Sequence, residues 1–175
     1  MTARFESARL AMRPQRLDDA EALHEGYRDE ATMLWWSSAA HVDLDRTRAY
    51  IAERIDQPDQ RGWVMTPKGS DRAIGTLWAG ARRTGVSEIG YMLIPSAVRQ
   101  GYASEAVTRL LDLLFREEGQ RRVFADTDPD NAPSNALLKR LGFTLEGRLR
   151  AEWETHIGVR DTFLWGLLAD EWTAR

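Results

Sequence analysis

An apolar stretch from Val86 to Ile94, a helical pattern from Ala103 to about Glu118 and a second strand-like run, Val123–Thr127, follow one another with only short breaks. In the middle piece Ala103, Ala106, Val107, Leu110, Leu111 and Leu114 recur at three- and four-residue steps, the spacing of one helix face. Gly119 supplies its stop. Two strands joined through a helix lie parallel, because the chain must return along the sheet before the second strand starts. Ahead of this crossover, Gly62–Thr66, Ala73–Ala79 and Val86–Ile94 are separated by the turn-rich pieces Pro67-Lys68-Gly69-Ser70-Asp71 and Gly80 to Gly85. They read as an antiparallel meander. A meander feeding a crossover defines an α/β chain with a mixed antiparallel/parallel central sheet flanked by helices.

The flanking segments extend this frame. Ala8–Arg13 alternates and stops at Pro14, as a strand does. Asp18 or Asp19 can cap a helix carrying Ala22 and Leu23; Ala31–Ala39 is predicted as a short helix, and Asp43 can cap a third from Leu44 to about Asp56. After Val123–Thr127, Asp130 or Asn131 opens a helix to Leu141 that Gly142 closes. Strands Phe143–Arg150 and Thr162–Leu168, joined by a long turn, finish the order β-α-α-α-β-β-β-α-β-α-β-β.

Length and composition exclude several classes. A chain of 175 residues suits one domain, taken as 1–175. A net charge of -3 argues against a nucleic-acid footprint. With no cysteine there is no thiolate metal site, disulfide or Cys nucleophile, and His24, His41 and His156 share no ligand spacing, so no metal is expected. Met1–Arg9 holds no apolar signal run and no segment reaches membrane-span length. The expectation is a cytoplasmic protein with no membrane partner.

The chemistry is carried where the strand ending at Ile94 enters the long helix. Gly101 stands just before the helix, with small Ala103 and Ser104 in its first turn and Arg99 at the mouth. The unpaired N–H groups and partial positive charge of a helix start suit a phosphate, which Gly allows to come close. The same residues would also make an ordinary strand–helix turn. Neither G-x-x-x-x-G-K-[ST] nor G-x-G-x-x-G occurs, which disfavours a nucleotide-binding regulatory domain.

A second segment makes the pattern specific. Gly101-Tyr102-Ala103-Ser104-Glu105-Ala106, together with Asn131-Ala132-Pro133-Ser134 and Gly142-Phe143-Thr144-Leu145-Glu146-Gly147, resembles the GNAT superfamily of acyl-CoA-dependent N-acyltransferases and is similar to its RimJ/RimL-type branch. The opening Ser7-Ala8-Arg9-Leu10-Ala11-Met12-Arg13-Pro14 resembles the first strand of that branch. The resemblance spans nearly the whole chain and is vague only between Asp29 and Arg61. It implies acetyl-CoA as acyl donor. The family's [QR]-x-x-G-x-[GA] loop aligns with Val98-Arg99-Gln100-Gly101-Tyr102-Ala103, Val98 departing from the polar first position. Arg99, Gln100, Gly101, Tyr102, Ala103 and Ser104 would cradle the pyrophosphate. Met92 and Leu93 would pair with the pantetheine arm, which Asn131 also contacts.

The implied reaction is attack of a free amine on the thioester. A base must first take the ammonium proton, and N–H donors must meet the oxyanion. Glu88 resembles the base of the histone-acetylating branch, and Glu152, with Glu154 beside it, the base-bearing piece of RimL-type enzymes. The family's usual acid, a Tyr four residues before Gly-Phe, is Leu138 here, and Ser134 is the substitute the branch suggests. Tyr91, Trp35, Trp36 and Trp153 are candidates for an acceptor groove, while Trp172 reads as a clamp on the fold. Each has a plain structural alternative: Glu88 a strand residue paired with an Arg, Ser134 a helix-start residue, each Trp a core residue. The favoured acceptor is a protein N-terminal amine, followed by a small amine such as an aminoglycoside, polyamine or amino-acid-like antibiotic. A non-catalytic acyl-CoA-binding module is the competing class, and a homodimer is the assembly considered.

Overall fold

The computed structural model describes residues 3–55 and 57–173. One eight-stranded sheet runs through it. In chain order its strands are β1 (Phe5–Glu6), β2 (Leu10–Pro14), β3 (Gln60–Pro67), β4 (Gly75–Arg83), β5 (Val86–Leu93), β6 (Arg122–Thr127), β7 (Thr144–Thr155) and β8 (Gly158–Leu168). Their spatial order is β1-β2-β3-β4-β5-β6-β8-β7, and among these pairs β5–β6 alone is parallel. The mixed sheet with its single crossover is therefore the expected one. No helix among the described residues is long and apolar enough to cross a membrane.

The helices are α1 (Ala20–Tyr27), α2 (Glu30–Met33), α3 (Leu44–Ile55), α4 (Tyr102–Asp112), α5 (Ala132–Arg140) and α6 (Ala169–Thr173). Asp43 caps α3 by accepting from Arg46 N–H, and the predicted end at Asp56 lies outside the described residues. The predicted helix Ala31–Ala39 ends at Met33, and Leu34–Ser38 form turns and bends. The helix α4 ends in a π-turn, Leu113–Glu117, and Gly119 follows at a left-handed φ of 67°. The last two strands are longer than predicted: they form one hairpin turning at His156-Ile157, and β1 and α6 were not anticipated. Trp172 on α6 is buried, bonds Asp112 Oδ1 through its indole N–H at 3.0 Å and stacks on Phe115, as a clamp would.

The predicted apolar face of α4 is buried at Ala106, Val107, Leu110 and Leu111, with Leu114 following. Each Leu contributes about 1.5–3 kcal/mol relative to exposure. This packing fixes the start of α4 against the ends of β5 and β2. At the other side of the sheet α1 lies close: a β-carbon on Gly26 would fall 3.2 Å from Met92 Cε.

Candidate active site

The strands β5 and β6 pair over only three positions, Val86↔Arg122, Ser87↔Val123 and Glu88↔Phe124, and then diverge. Ile94 N–H bonds Ile74 O, and alternate residues of a strand turn their backbone groups to opposite edges. Tyr91 and Leu93 therefore present N–H and C=O groups to the gap, whereas Met92 turns its own towards β4. A cleft of about 980 Å³ runs through this opening.

Side chains divide between the two faces of the sheet. Glu88 and Gly90 on β5, Trp78 on β4 opposite Gly90, and Asp126 on β6 share one face. Ile89, Tyr91, Ala125 and Thr127 share the other, where α5 packs: Trp165 Nε1 on β8 donates to Thr127 Oγ1 and to Asn135 Oδ1 of α5. The gap joins the two faces.

On the first face Glu88 is only 8% exposed and accepts from Arg82 Nε at 2.5 Å. Burial pushes its carboxyl above the ordinary range; Arg82 pulls it back, and the Asp126 carboxylate on the same face pushes it up again. Asp126 Oδ2 accepts from Trp153 Nε1 at 2.8 Å. Trp153 gets there through a bulge. Arg150, Ala151 and Glu152 face the single residue Asp161, so Trp153 stands opposite Arg160 where a regular ladder would set Ala151. Ala151 takes the left-handed φ of 52° that the bulge requires, its N–H held by Asp161 Oδ1. Trp153 and Thr155 line the cleft, and Glu152 and Glu154, at the alternate positions, do not. The structure does not bring Glu152 to Glu88: it sits exposed on the other side of an edge strand.

Trp35 and Trp36 also line the cleft, from the bend after α2, with Trp36 packed partly on the core. Trp78 joins them, unanticipated because a strand Trp reads as core.

On the second face, Ser134 sits in the first turn of α5 beside Tyr91. Asn131 caps this helix, its Oδ1 accepting from Ser134 N–H at 3.3 Å, so the Ser134 hydroxyl is not needed as a cap. The Tyr91 hydroxyl is shut off from solvent without a hydrogen-bond partner among the described residues. Burial raises its pKa, and the nearby Ser134 side chain acts against that rise. Tyr91 thus belongs with Ser134 and not with the indoles of the first face. Leu138, at the family's Tyr position, is fully buried in the core.

The loop before α4 suits a phosphate. Arg99 and Gly101 are both left-handed, at φ 63° and 80°, which curls the backbone at the helix start. No side chain caps α4. The Glu105 carboxylate, whose charge would oppose an anion, is turned away and held by Ser7 Oγ, Arg9 N–H and Arg9 Nε. Arg99, Gly101, Tyr102, Ala103, Ser104 and Asn131 line the cleft, as do Met92 and Leu93; Gln100 does not, its amide bonding Ser96 O instead. Arg140 on α5 adds a cation that the sequence reading did not single out. Among the described residues no group of three His, Asp or Glu could hold a metal.

The profile of the acetyltransferase (GNAT) domain matches residues 9–144. The uncharacterized N-acetyltransferase p20 of Bacillus licheniformis is 30% identical over 170 residues, covering 94% of this chain and 95% of that protein. A crystal structure of a probable GNAT-family acetyltransferase from Chromobacterium violaceum superposes with a TM-score of 0.91 at 29% identity, covering 99% and 89% of the two chains. RimL, the ribosomal L7/L12 α-N-protein acetyltransferase, solved in complex with coenzyme A, superposes at 0.80 with 22% identity over 97% of this chain and 99% of its own, a likeness of fold. The fold, the site and these relatives agree: the chain belongs to the GNAT family of acetyltransferases and is an N-acetyltransferase.

Proposed function

We propose that the chain works as a single domain that transfers the acetyl group of acetyl-CoA to a primary amine, a protein N-terminal amine being the favoured acceptor, as in the RimJ/RimL-type branch. One observation carries the reading: a buried carboxyl, Glu88, and a hydroxyl pair, Tyr91 and Ser134, stand on opposite faces of one sheet, joined by the gap between β5 and β6. The amine enters from the Glu88 face, and the thiol leaves on the Ser134 face.

The residues present fit the donor. The uncapped start of α4, Gly101 without a side chain to intrude, and Arg99 and Arg140 suit its phosphates, and the gap-facing backbone of Leu93 suits the pantetheine amides. Bound acetyl-CoA supplies the thioester carbonyl that a free amine attacks, the C–N bond forming as C–S breaks. Glu88 takes the ammonium proton; a raised pKa suits it to that exchange near neutral pH. The N–H groups of Tyr91 and Leu93 face the place where oxyanion charge develops. Ser134 and Tyr91 donate to the departing thiolate in the role that Leu138 cannot fill.

The volume of the cleft, about 980 Å³, supports an acceptor as large as a peptide end. The indoles of Trp35, Trp36, Trp78 and Trp153 favour, as a second reading, a small cationic amine. The test is thiol release from acetyl-CoA with peptides of varied first residue set against polyamines and aminoglycosides. Selective release with peptides supports the first reading, release with small amines alone supports the second, and none with any amine removes both.

A further inference from the structure

We infer that Arg9 is a positioning residue for the donor's phosphates, acting from behind the loop by offsetting the Glu105 charge at the start of α4; this rests on the acetyl-CoA reading above. Arg9 stands one residue before β2, and its carbonyl accepts from Lys68 N–H at 2.9 Å, which fixes it to the sheet. From there it donates three times. Its backbone N–H meets Glu105 Oε1 at 2.6 Å, its Nε meets Glu105 Oε2 at 2.6 Å, and its Nη1 meets the Gln100 carbonyl at 3.0 Å. Ser7 Oγ completes the hold on Glu105 Oε1 at 2.7 Å. The guanidinium also lies over the Tyr102 ring, 4.7 Å from its centroid. A β-carbon on Gly101 would fall 3.4 Å from Arg9 Nη2, so the guanidinium backs the loop at the residue where it curls. Gly101 and Tyr102 line the cleft, and Arg9 does not.

Glu105 serves and opposes this helix start at once. A carboxylate in the first turn of α4 favours the positive end of the helix dipole. The same charge competes with any anion that docks on the first-turn N–H groups. The Glu105 N–H bonds Gly101 O at 3.1 Å, so carboxylate and cradle share one turn. Burial raises the pKa of Glu105, and hydrogen bonds from Arg9 N–H, Ser7 and the Arg9 guanidinium outweigh it, so the carboxyl lies below its ordinary range and is ionised at neutral pH. The Arg9 cation offsets that charge. It also takes up the negative end of the Gln100 carbonyl dipole, outside the cleft. With both offset, the first-turn N–H groups and Arg99 set the potential that an arriving phosphate meets. Replacing Arg9 by Gln leaves the backbone N–H and Ser7 on the carboxylate, so Glu105 stays in place while its charge is no longer balanced.

The test is the Kd of acetyl-CoA by titration calorimetry, with no acceptor present, at low and at high salt. The proteins are wild type, Arg9→Gln, Glu105→Gln and the double variant. Arg9→Gln is expected to raise Kd about tenfold at low salt, with the gap narrowing at high salt as the charges are screened. Adding Glu105→Gln to Arg9→Gln is expected to recover most of that loss, because it removes the charge that Arg9 no longer offsets. A residue that only held the fold, or one that touched the phosphates itself, would show no such recovery. An Arg9→Gln Kd within about twofold of wild type, or a loss that Glu105→Gln leaves in place, overturns the proposal. A carboxyl 13C titration of the wild type needs no variant to fold: Glu105 is expected to titrate below the ordinary carboxylate range, and a midpoint at or above that range overturns the proposal as well. Failure of the acetyl-CoA reading would show separately, as no binding to the wild type at either salt.

Discussion

The indole of Trp78 occupies the space that a side chain at Gly90 would need: a β-carbon built there falls 1.9 Å from the indole nitrogen. Glycine is thus required next to Glu88 by packing, not by backbone angles. Gly90→Ala is expected to cost about 1–3 kcal/mol through overpacking and to lower kcat/KM by displacing a wall of the cleft. Thermal melts and steady-state kinetics on this one variant check both; an unaltered melt would mean that the indole is free to move aside.

The loop at the start of α4 separates strain from ligand binding. Gly101 lies at φ 80°, so Gly101→Ala carries a backbone cost of about 1 kcal/mol while leaving the cradle open. Gly101→Glu adds bulk and a negative charge at the same point. Acetyl-CoA at a hundredfold excess over Kd should stabilise the wild type by about 2.7 kcal/mol, and the Ala variant comparably. The Glu variant should show no shift, and a full shift there would move the phosphates elsewhere.

Asn131 and Ser134 divide two jobs between them. Asn131→Ala should lose about 1 kcal/mol of stability with the cap. Ser134→Ala should leave the melt unchanged and slow turnover, and Tyr91→Phe should do the same. Loss of kcat in neither variant would remove both hydroxyls from thiol departure.

The carboxylates of the hairpin are expected to be silent. Glu152→Gln and Glu154→Gln should keep wild-type rates, since both residues stand on the face away from the cleft. Glu88→Gln should lower kcat on the order of 10²-fold. A comparable loss in Glu152→Gln would show that the hairpin rearranges when the acceptor binds.

Asp128 bears on acid stability. Hydrogen bonds from Arg160 hold its carboxyl below the usual range, so the folded chain binds that proton less readily than the unfolded one. Its stabilising effect is present above the unfolded value, about 3.9, and is lost as pH falls through the lower folded value. The stability gap between wild type and Asp128→Asn, from urea midpoints, should therefore be widest near neutrality and close below about pH 4.

What could be read from sequence was local. The face of α4, the crossover and the Asn131 cap each depend on residues a few places apart, and each is where the pattern put it. The acid–base face depends on register between distant strands. Asp126 reads in isolation as a polar residue near a strand end, and Trp78 as core. Trp153 reads from sequence as a groove residue without a partner, because two extra residues in a bulge decide which of β7's side chains meets Asp126. The same bulge explains why Glu152, one position away, is out of reach.

The brief pairing of β5 with β6 has a consequence for how the molecule breathes. Two half-sheets meet at three residue pairs, and past them the facing backbone groups of Tyr91 and Leu93 have no strand opposite. Deuterium should enter these amides quickly in the free enzyme, while neighbours turned towards β4 stay protected. An extended ligand arm laid in the gap would close both edges together. The slowest-exchanging form of this sheet would then be one completed by a strand that the chain does not itself encode.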